Sequence, residues 1–297
     1  TNNYNELRSL FYGYYFRKGV IFLHKKLAAV TTAVIFMCGC TAEKNTTGRS
    51  FVQTDRGGQT PAEAALLADN TEKVCYGQGY ETDTENRPVG SLQAQEKYGE
   101  YGGVFIGSKD DKTIYLTFDE GYENGCTGRI LDILKSKNVK ATFYVTLDYV
   151  KSSPELVSRM INEGHEVGNH TCTHPSLPDI SNEEVLEELN GLQRYVGENF
   201  GGYRMSTMRP PRGEFSVRTL RAAKNAGYAT VLWSFAYNDW NVDDQPDRTK
   251  AYERITSATH NGAIYLLHAV SETNTAILAD VIDYWQENGY TVRSITE

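Results

Sequence analysis

The stretch "KTIYLTFDEGYENG" (Lys112–Gly125) runs from a hydrophobic strand pattern straight into a cluster of acids. Thr113–Phe118 is rich in β-branched and aromatic residues and reads as a buried strand. Asp119 and Glu120 then stand side by side, and Glu123 follows in the next loop. Carboxylates at the mouth of a buried strand are costly unless a cation, a metal or a proton transfer makes use of them.

Downstream, the same strand pattern recurs at Ala141–Val145, His165–His170, Ser206–Pro210, Ala229–Phe235, Ala263–His268 and Tyr290–Ile295. Helical patterns lie between these runs. Ile130, Ile133 and Leu134 share one face of the first. The helix after Ser181 opens with a capping box, Ser181 with Glu184, and repeats apolar residues at Val185, Leu189, Leu192 and Val196. Gly227 closes another at a C-cap position. Alternating strands and helices imply an α/β fold, a distorted (β/α) barrel of about seven parallel strands. No G-x-G-x-x-G follows a strand, which argues against a dinucleotide fold. Asp119, His170, Arg209, Asp239 and His268 all fall at or just beyond C-terminal strand ends, which share one face in such a barrel.

Composition narrows the partners. The chain of 297 residues carries a net charge of -8, and 40% of it is hydrophobic, enough for a sizeable core. Five basic residues and one acid lie in the first forty positions, leaving 25 basic against 37 acidic residues beyond them, a balance of -12. That body has no basic footprint for nucleic acid. Its 20 tyrosines suit sugar platforms and ordinary packing equally.

The N-terminus reads as targeting. Lys25 and Lys26 precede an apolar run, Leu27–Met37, too short to span a bilayer comfortably and fitting the core of a secretion signal. "MCGC" resembles a bacterial lipobox with Cys40 as the lipidated residue, which implies membrane anchoring outside the cytoplasm. The segment before Lys25 resembles neither a signal nor a domain, and translation is expected to start near Val20 or Leu23. Four regions follow: an extension and lipoprotein-type signal segment over 1–40, a flexible tether over 41–75 with a helical stretch at 61–70, an irregular capping segment over 76–111, and a catalytic domain over 112–297. Three cysteines lie outside the signal, Cys75, Cys126 and Cys172, so no disulfide framework is implied.

His170 and His174 are four residues apart; on a helical turn both rings face one side and can share a metal. A hard third ligand could come from Asp119 or Glu120, with the other accepting a proton from water. Cys172, between the histidines, reads as a packed residue. His165 reads as a strand-edge packing residue, His260 as a cap after a helix, and Trp233 and Trp285 as core.

"TFDEG" (117–121), "HTCTH" (170–174), "RPPRG" (209–213), "NDW" (238–240) and "LLH" (266–268), in that order, resemble the polysaccharide deacetylases of the NodB-homology type, carbohydrate esterase family four. The resemblance covers about Lys112 to Ile295. The longer matches "TIYLTFDEGYENGCT", "MRPPRGEFS", "AYNDW" and "GAIYLLHAVS" resemble the delta-lactam-biosynthetic deacetylases of spore-forming bacteria. Those enzymes deacetylate muramic acid in peptidoglycan, and the freed amine can close onto the lactyl carboxyl as muramic delta-lactam.

The resemblance implies roles. Asp119 is the general base, Arg209 orients and stabilises it, His268 is the general acid and Asp239 holds that histidine. Trp240 and Pro211 line the substrate pocket, and Glu123 and Asn124 are candidates to meet the lactyl group. Glu120, His170 and His174 are the metal ligands, with zinc, cobalt and manganese all compatible with mixed N/O ligation. Glu120 is one methylene longer than the family's usual Asp. The implied partner is the glycan strand of peptidoglycan. Alternative readings are a deacetylase of N-acetylglucosamine in peptidoglycan or chitin-like glycans, an inactive wall-binding lipoprotein, and a glycosidase pairing Asp119 or Glu120 with a second carboxylate. No G-x-S-x-G elbow supports a serine hydrolase.

Overall fold

A computed structural model describes residues 71–297. The signal-type segment, Cys40 and residues 41–70 of the tether expected over 41–75, with its helical stretch at 61–70, lie outside the described residues.

Eight strands form one all-parallel sheet. In chain order they are β2 (Gly103–Val104), β3 (Thr113–Glu120), β4 (Thr142–Val145), β5 (Glu166–Asn169), β6 (Thr207–Met208), β8 (Ala229–Val231), β9 (Ala263–His268) and β10 (Thr291–Arg293). All seven expected strands are present; β2 is added. The sheet runs β10-β3-β4-β5-β6-β8-β2, and β9 pairs with β3. It curls far enough for a parallel bridge, Phe235 to Tyr265, to join the chain just past β8 to β9. Bonds from the Ser234 N–H to the Ile264 carbonyl (2.9 Å) and from the Leu266 N–H to the Phe235 carbonyl (2.8 Å) secure that seam.

Side-chain alternation sorts the sheet into two faces. Ile114, Leu116 and Phe118 on β3, Phe143 and Val145 on β4, and Tyr265 and Leu267 on β9 join the large apolar cluster under the helices. The opposite parity, Tyr144, Trp233, Ile264 and Leu266, joins a second cluster on the inner face with Phe105 and Phe215. Gly168 belongs to that inner face: a Cβ there would meet the Tyr144 ring at 2.4 Å, so the ring occupies the space.

The covering helices are α1 (Val89–Tyr98), α2 (Thr127–Ser136), α3 (Leu147–Ser152), α4 (Pro154–Asn162), α5 (Asn182–Asn199), α6 (Val217–Asn225), α7 (Arg248–Ser257) and α8 (Glu272–Glu287). The Ser181–Glu184 capping box forms at the start of α5, whose Val185, Leu189, Leu192 and Val196 are all buried. On α2, Ile130, Leu131 and Leu134 are buried, while Ile133 is only partly covered. Gly227 follows α6 with φ +92, the left-handed conformation that ends a helix at little cost to glycine.

The segment over 76–111 is more regular than its composition implies. It contributes α1 and β2, and Phe105 is fully buried in the inner cluster. Before it, β1 (Val74–Cys75) pairs antiparallel with β7 (Glu214–Phe215), directly after the "RPPRG" loop. Trp285 is fully buried and Trp233 nearly so. Cys75, Cys126 and Cys172 are all free thiols. Among the described residues no helix is long and apolar enough to cross a membrane.

Candidate active site

Parity decides which groups meet. Thr117 and Asp119 project from β3 to the inner face, and Asp119 lies in register with His268 of β9. Arg209, immediately after β6, is fully buried among them. Its Nη1 donates to Asp119 Oδ1 and to Thr117 Oγ1, both at 2.8 Å. Its Nε and Nη2 donate to the carbonyls of Val231 and Leu232 at 3.0 Å. The guanidinium also lies over the Tyr144 ring, 4.3 Å from its centre. A charge this deep is tolerable because its donors are met and an anion faces it. For Asp119, burial opposes ionisation, but Arg209, with His170 and His268, outweighs it and holds the carboxyl below the ordinary range. Asp119 is therefore an ionised acceptor at neutral pH.

His268 is the opposite case. Its Nδ1–H donates to Asp239 Oδ1 at 2.7 Å, and its backbone N–H donates to Asp239 Oδ2 at 2.9 Å. Burial works against the imidazolium, yet Asp239, reinforced by Asp119, raises the pKa above the ordinary value. With Nδ1 committed, Nε2 is the nitrogen left to give a proton. The site thus sets an ionised carboxylate beside a histidine whose cation is stabilised, on adjacent strands, an arrangement able to accept and give a proton.

His170 and His174 come together, but not on a helix. Thr171 (φ 71) and His174 (φ 58) take left-handed conformations that fold the segment into a turn. The rings meet edge to face, 4.9 Å between centres. His170 Nδ1 donates to the Arg209 carbonyl at 2.8 Å, and its Nε2 faces Asp119 Oδ2 at 3.6 Å. Burial lowers both histidines, His174 to about 4 with help from its neighbour, so both rings are neutral at pH 7.

Glu120 does not join them. It shares the parity of Leu116 and Phe118 and faces the helix layer, where Thr127 Oγ1 donates to its Oε1 at 3.4 Å. It is fully buried, Oε2 has no hydrogen-bond partner, and burial together with Glu123 pushes its pKa well above the ordinary range. The ligand set expected from sequence is corrected accordingly. Two imidazoles assemble without Glu120, and among the described residues no three His, Cys, Asp or Glu side chains form a metal cluster.

Several other expected residues are spoken for. Asn124 donates to the Val270 carbonyl (3.0 Å), and Glu123 accepts from the Tyr149 hydroxyl (3.3 Å). Pro211 is buried; its neighbour Arg212 (φ 59) takes the exposed position and pairs with Glu214 at 3.2 Å. Trp240 is 55% exposed, next in sequence to the buried Asp239. Cys172 packs towards α5, near the place a Cβ on Gly191 would occupy. His165 packs edge-on against Phe143. His260 is buried and bonded to Ser234 and the Ala258 carbonyl.

The polysaccharide deacetylase family profile matches residues 106–231. The peptidoglycan-N-acetylmuramic acid deacetylase PdaA of Bacillus subtilis is 41% identical over 210 residues, 71% of this chain and 80% of that protein. The chain belongs to the polysaccharide deacetylase family. The solved structure of the Bacillus subtilis protein, a family 4 carbohydrate esterase, superposes with a TM-score of 0.72 at 39% identity, covering 76% of this chain and 96% of that one. The peptidoglycan-N-acetylglucosamine deacetylase PgdA of Listeria monocytogenes is 35% identical over 190 residues, 64% of this chain but 39% of that longer protein. Family 4 deacetylases are generally metal-dependent. In this deacetylase the residues named for the metal do not fit as a set, because Glu120 stands across the strand from the histidines.

Sequence reasoning did not flag Asn274, Tyr237 or Gln245. Tyr237 lies inside the "AYNDW" match and Gln245 stands six residues past Asp239, but their partners at the start of α8, Asn274 and Ser271, are brought to them only by the fold.

Proposed function

We propose that this deacetylase removes the acetyl group from N-acetylmuramic acid in peptidoglycan, outside the cytoplasm. The observation that carries the reading is the register pair Asp119–His268, with Arg209 behind the first and Asp239 behind the second. Asp119 takes a proton from a water that attacks the acetamido carbonyl. His268 Nε2 gives its proton to the nitrogen as the carbon–nitrogen bond breaks, leaving acetate and a free amine. An amine leaves poorly unless protonated, so a histidine whose cation Asp239 stabilises suits the step. Trp240 offers an exposed aromatic face to the sugar ring.

Muramic acid differs from N-acetylglucosamine by a lactyl carboxylate. The identity to the Bacillus subtilis muramic acid deacetylase supports the former. Glu123, an acid, is the wrong charge to receive that carboxylate, and the Asn124 amide is already engaged. Once freed, the amine and the lactyl carboxyl on the same sugar can close to muramic delta-lactam with loss of water. Envelope anchoring through Cys40 is part of the same proposal.

The test is acetate release from stem-free glycan strands by the purified chain, with products mapped by mass. Acetyl loss on muramic acid supports the proposal. Acetyl loss on glucosamine alone keeps the chemistry and overturns the substrate. Absence of acetate, with or without added divalent metal, overturns both.

A further inference from the structure

Asp239 lies on the loop between β8 and α7, not on a strand, yet it is fully buried and both of its oxygens are engaged. Oδ1 receives only His268 Nδ1–H, whereas Oδ2 receives the His268 backbone N–H and a third donor, Asn274 Nδ2, at 2.5 Å. Asn274 sits in the first turn of α8, 2% exposed, and its own backbone N–H bonds to Ser271 Oγ at the helix cap (3.1 Å). Its side-chain Oδ1 accepts from the Tyr237 hydroxyl. Burial, reinforced by the nearby Asp239, raises the Tyr237 pKa, so the phenol keeps the proton it donates.

We infer that Asn274, locked by Tyr237, is a positioning residue for the general acid. An amide can present either its oxygen or its nitrogen. The Tyr237 O–H fixes the oxygen on one side, which turns the N–H onto Asp239 Oδ2. That bond holds the carboxylate at one rotation and leaves Oδ1 to His268 alone, so it fixes both the tautomer and the aim of the ring. It also draws charge from Asp239 and limits how tightly His268 holds its proton, which an acid must be able to release. The groups facing His268 are Asp239, Asp119, Arg209 and, more distantly, His170. Asn274 carries no charge itself, so changing it reaches His268 through Asp239. The inference rests on the proposed role of His268, and its test separates the two.

The test is Asn274→Ala, Tyr237→Phe and the double variant, read by two measurements. The first is the imidazole NMR titration of His268, assigned with His268→Gln, which needs no substrate. Loss of the amide donor is expected to raise the His268 pKa by about half a unit, since the undamped carboxylate stabilises the cation more. The second is kcat for acetate release. It is expected to fall about tenfold in Asn274→Ala, part of the 10²–10⁴ that a positioned acid contributes, with KM unchanged. Tyr237→Phe is expected to shift both readouts the same way by less. The double variant is expected to match Asn274→Ala, because Tyr237 acts only through the amide. An unmoved titration, or additive losses in the double variant, overturns the inference. A moved titration in a protein that releases no acetate upholds the positioning and instead overturns the proposed reaction.

Discussion

Replacing Arg209 by Met tests the base half of the site most directly. Met has a comparable stem but no donors, so the carbonyls of Val231 and Leu232, the Thr117 hydroxyl and Asp119 Oδ1 all lose a partner at once. Arg209 is fully buried and the Asp119 side chain is 11% exposed. Little water can reach the carboxylate left behind, so the expected destabilisation is about 3–5 kcal/mol at pH 7, the range for breaking one half of a buried pair. The pH dependence carries the sharper signature. In the native chain the folded pKa of Asp119 is depressed. Its contribution to stability is therefore full above the unfolded value of about 3.9 and is lost as pH falls through the folded value. Without Arg209, the opposing effect of burial dominates and the folded pKa rises above the unfolded one. Ionised Asp119 then destabilises the fold at neutral pH, and the penalty shrinks as pH falls. The stability gap between the two proteins, from urea denaturation, should thus be widest near neutrality and close as the solution is acidified. The acid limb of kcat/KM should move upward in step, because the base must be ionised. A gap that stays flat with pH, or an acid limb that does not move, would refute the reasoning.

Three further outcomes are expected. His268→Gln should lower kcat on glycan about 10²–10⁴-fold while sparing an aryl acetate, whose leaving group needs no proton; equal losses on both would remove His268 as the acid. Glu120→Gln should leave both activity and zinc affinity, measured by calorimetric titration, unchanged, since a neutral amide resembles the protonated acid that burial favours; a tenfold weaker zinc affinity would return Glu120 to the ligand set. Trp240→Ala should raise KM by several-fold with kcat little changed, the cost of one exposed stacking surface at about 1 kcal/mol; a selective fall in kcat would assign Trp240 to the chemistry instead.

What the sequence revealed depended on the range of each interaction. The α5 capping box and its apolar stripe are local, and they stand where the pattern puts them. The strand ends are also local, so Asp119, His170, Arg209 and His268 were legible as a group. Glu120 shows two local signals in conflict. The motif resemblance draws it to the metal, whereas the period-two alternation puts it with Leu116 and Phe118 on the helix side, and the alternation prevails. Helix α1 escaped notice because its buried positions, Ser91, Ala94 and Tyr98, have helical spacing but include only one large apolar residue. Asn274 and Gln245 were illegible for another reason: their hydrogen bonds join the Asp239 loop to the start of α8, a connection that only the folded chain closes.

The two halves of the site are built to different standards of rigidity. Arg209 reaches β3 through Thr117 and Asp119, reaches the end of β8 through two carbonyls, and holds His170 with its own carbonyl. One residue therefore fills the sheet interior and sets the ionisation of Asp119, the proposed base, so any change at Arg209 that detunes Asp119 also weakens the fold. Asp239 has no strand beneath it. Its loop is tied down by Gln245, whose Nε2 donates to the Asp239 carbonyl (3.0 Å) while its Oε1 accepts from Ser271 Oγ (2.7 Å) at the start of α8. Asn274 adds the second tie from that same first helical turn. The acid half is thus adjustable through hydrogen bonds that contribute roughly 1 kcal/mol each, without disturbing the sheet. Variation in how readily the leaving amine is protonated should accordingly map to the Asp239 loop and the start of α8, while the water-activating half stays fixed by the strands.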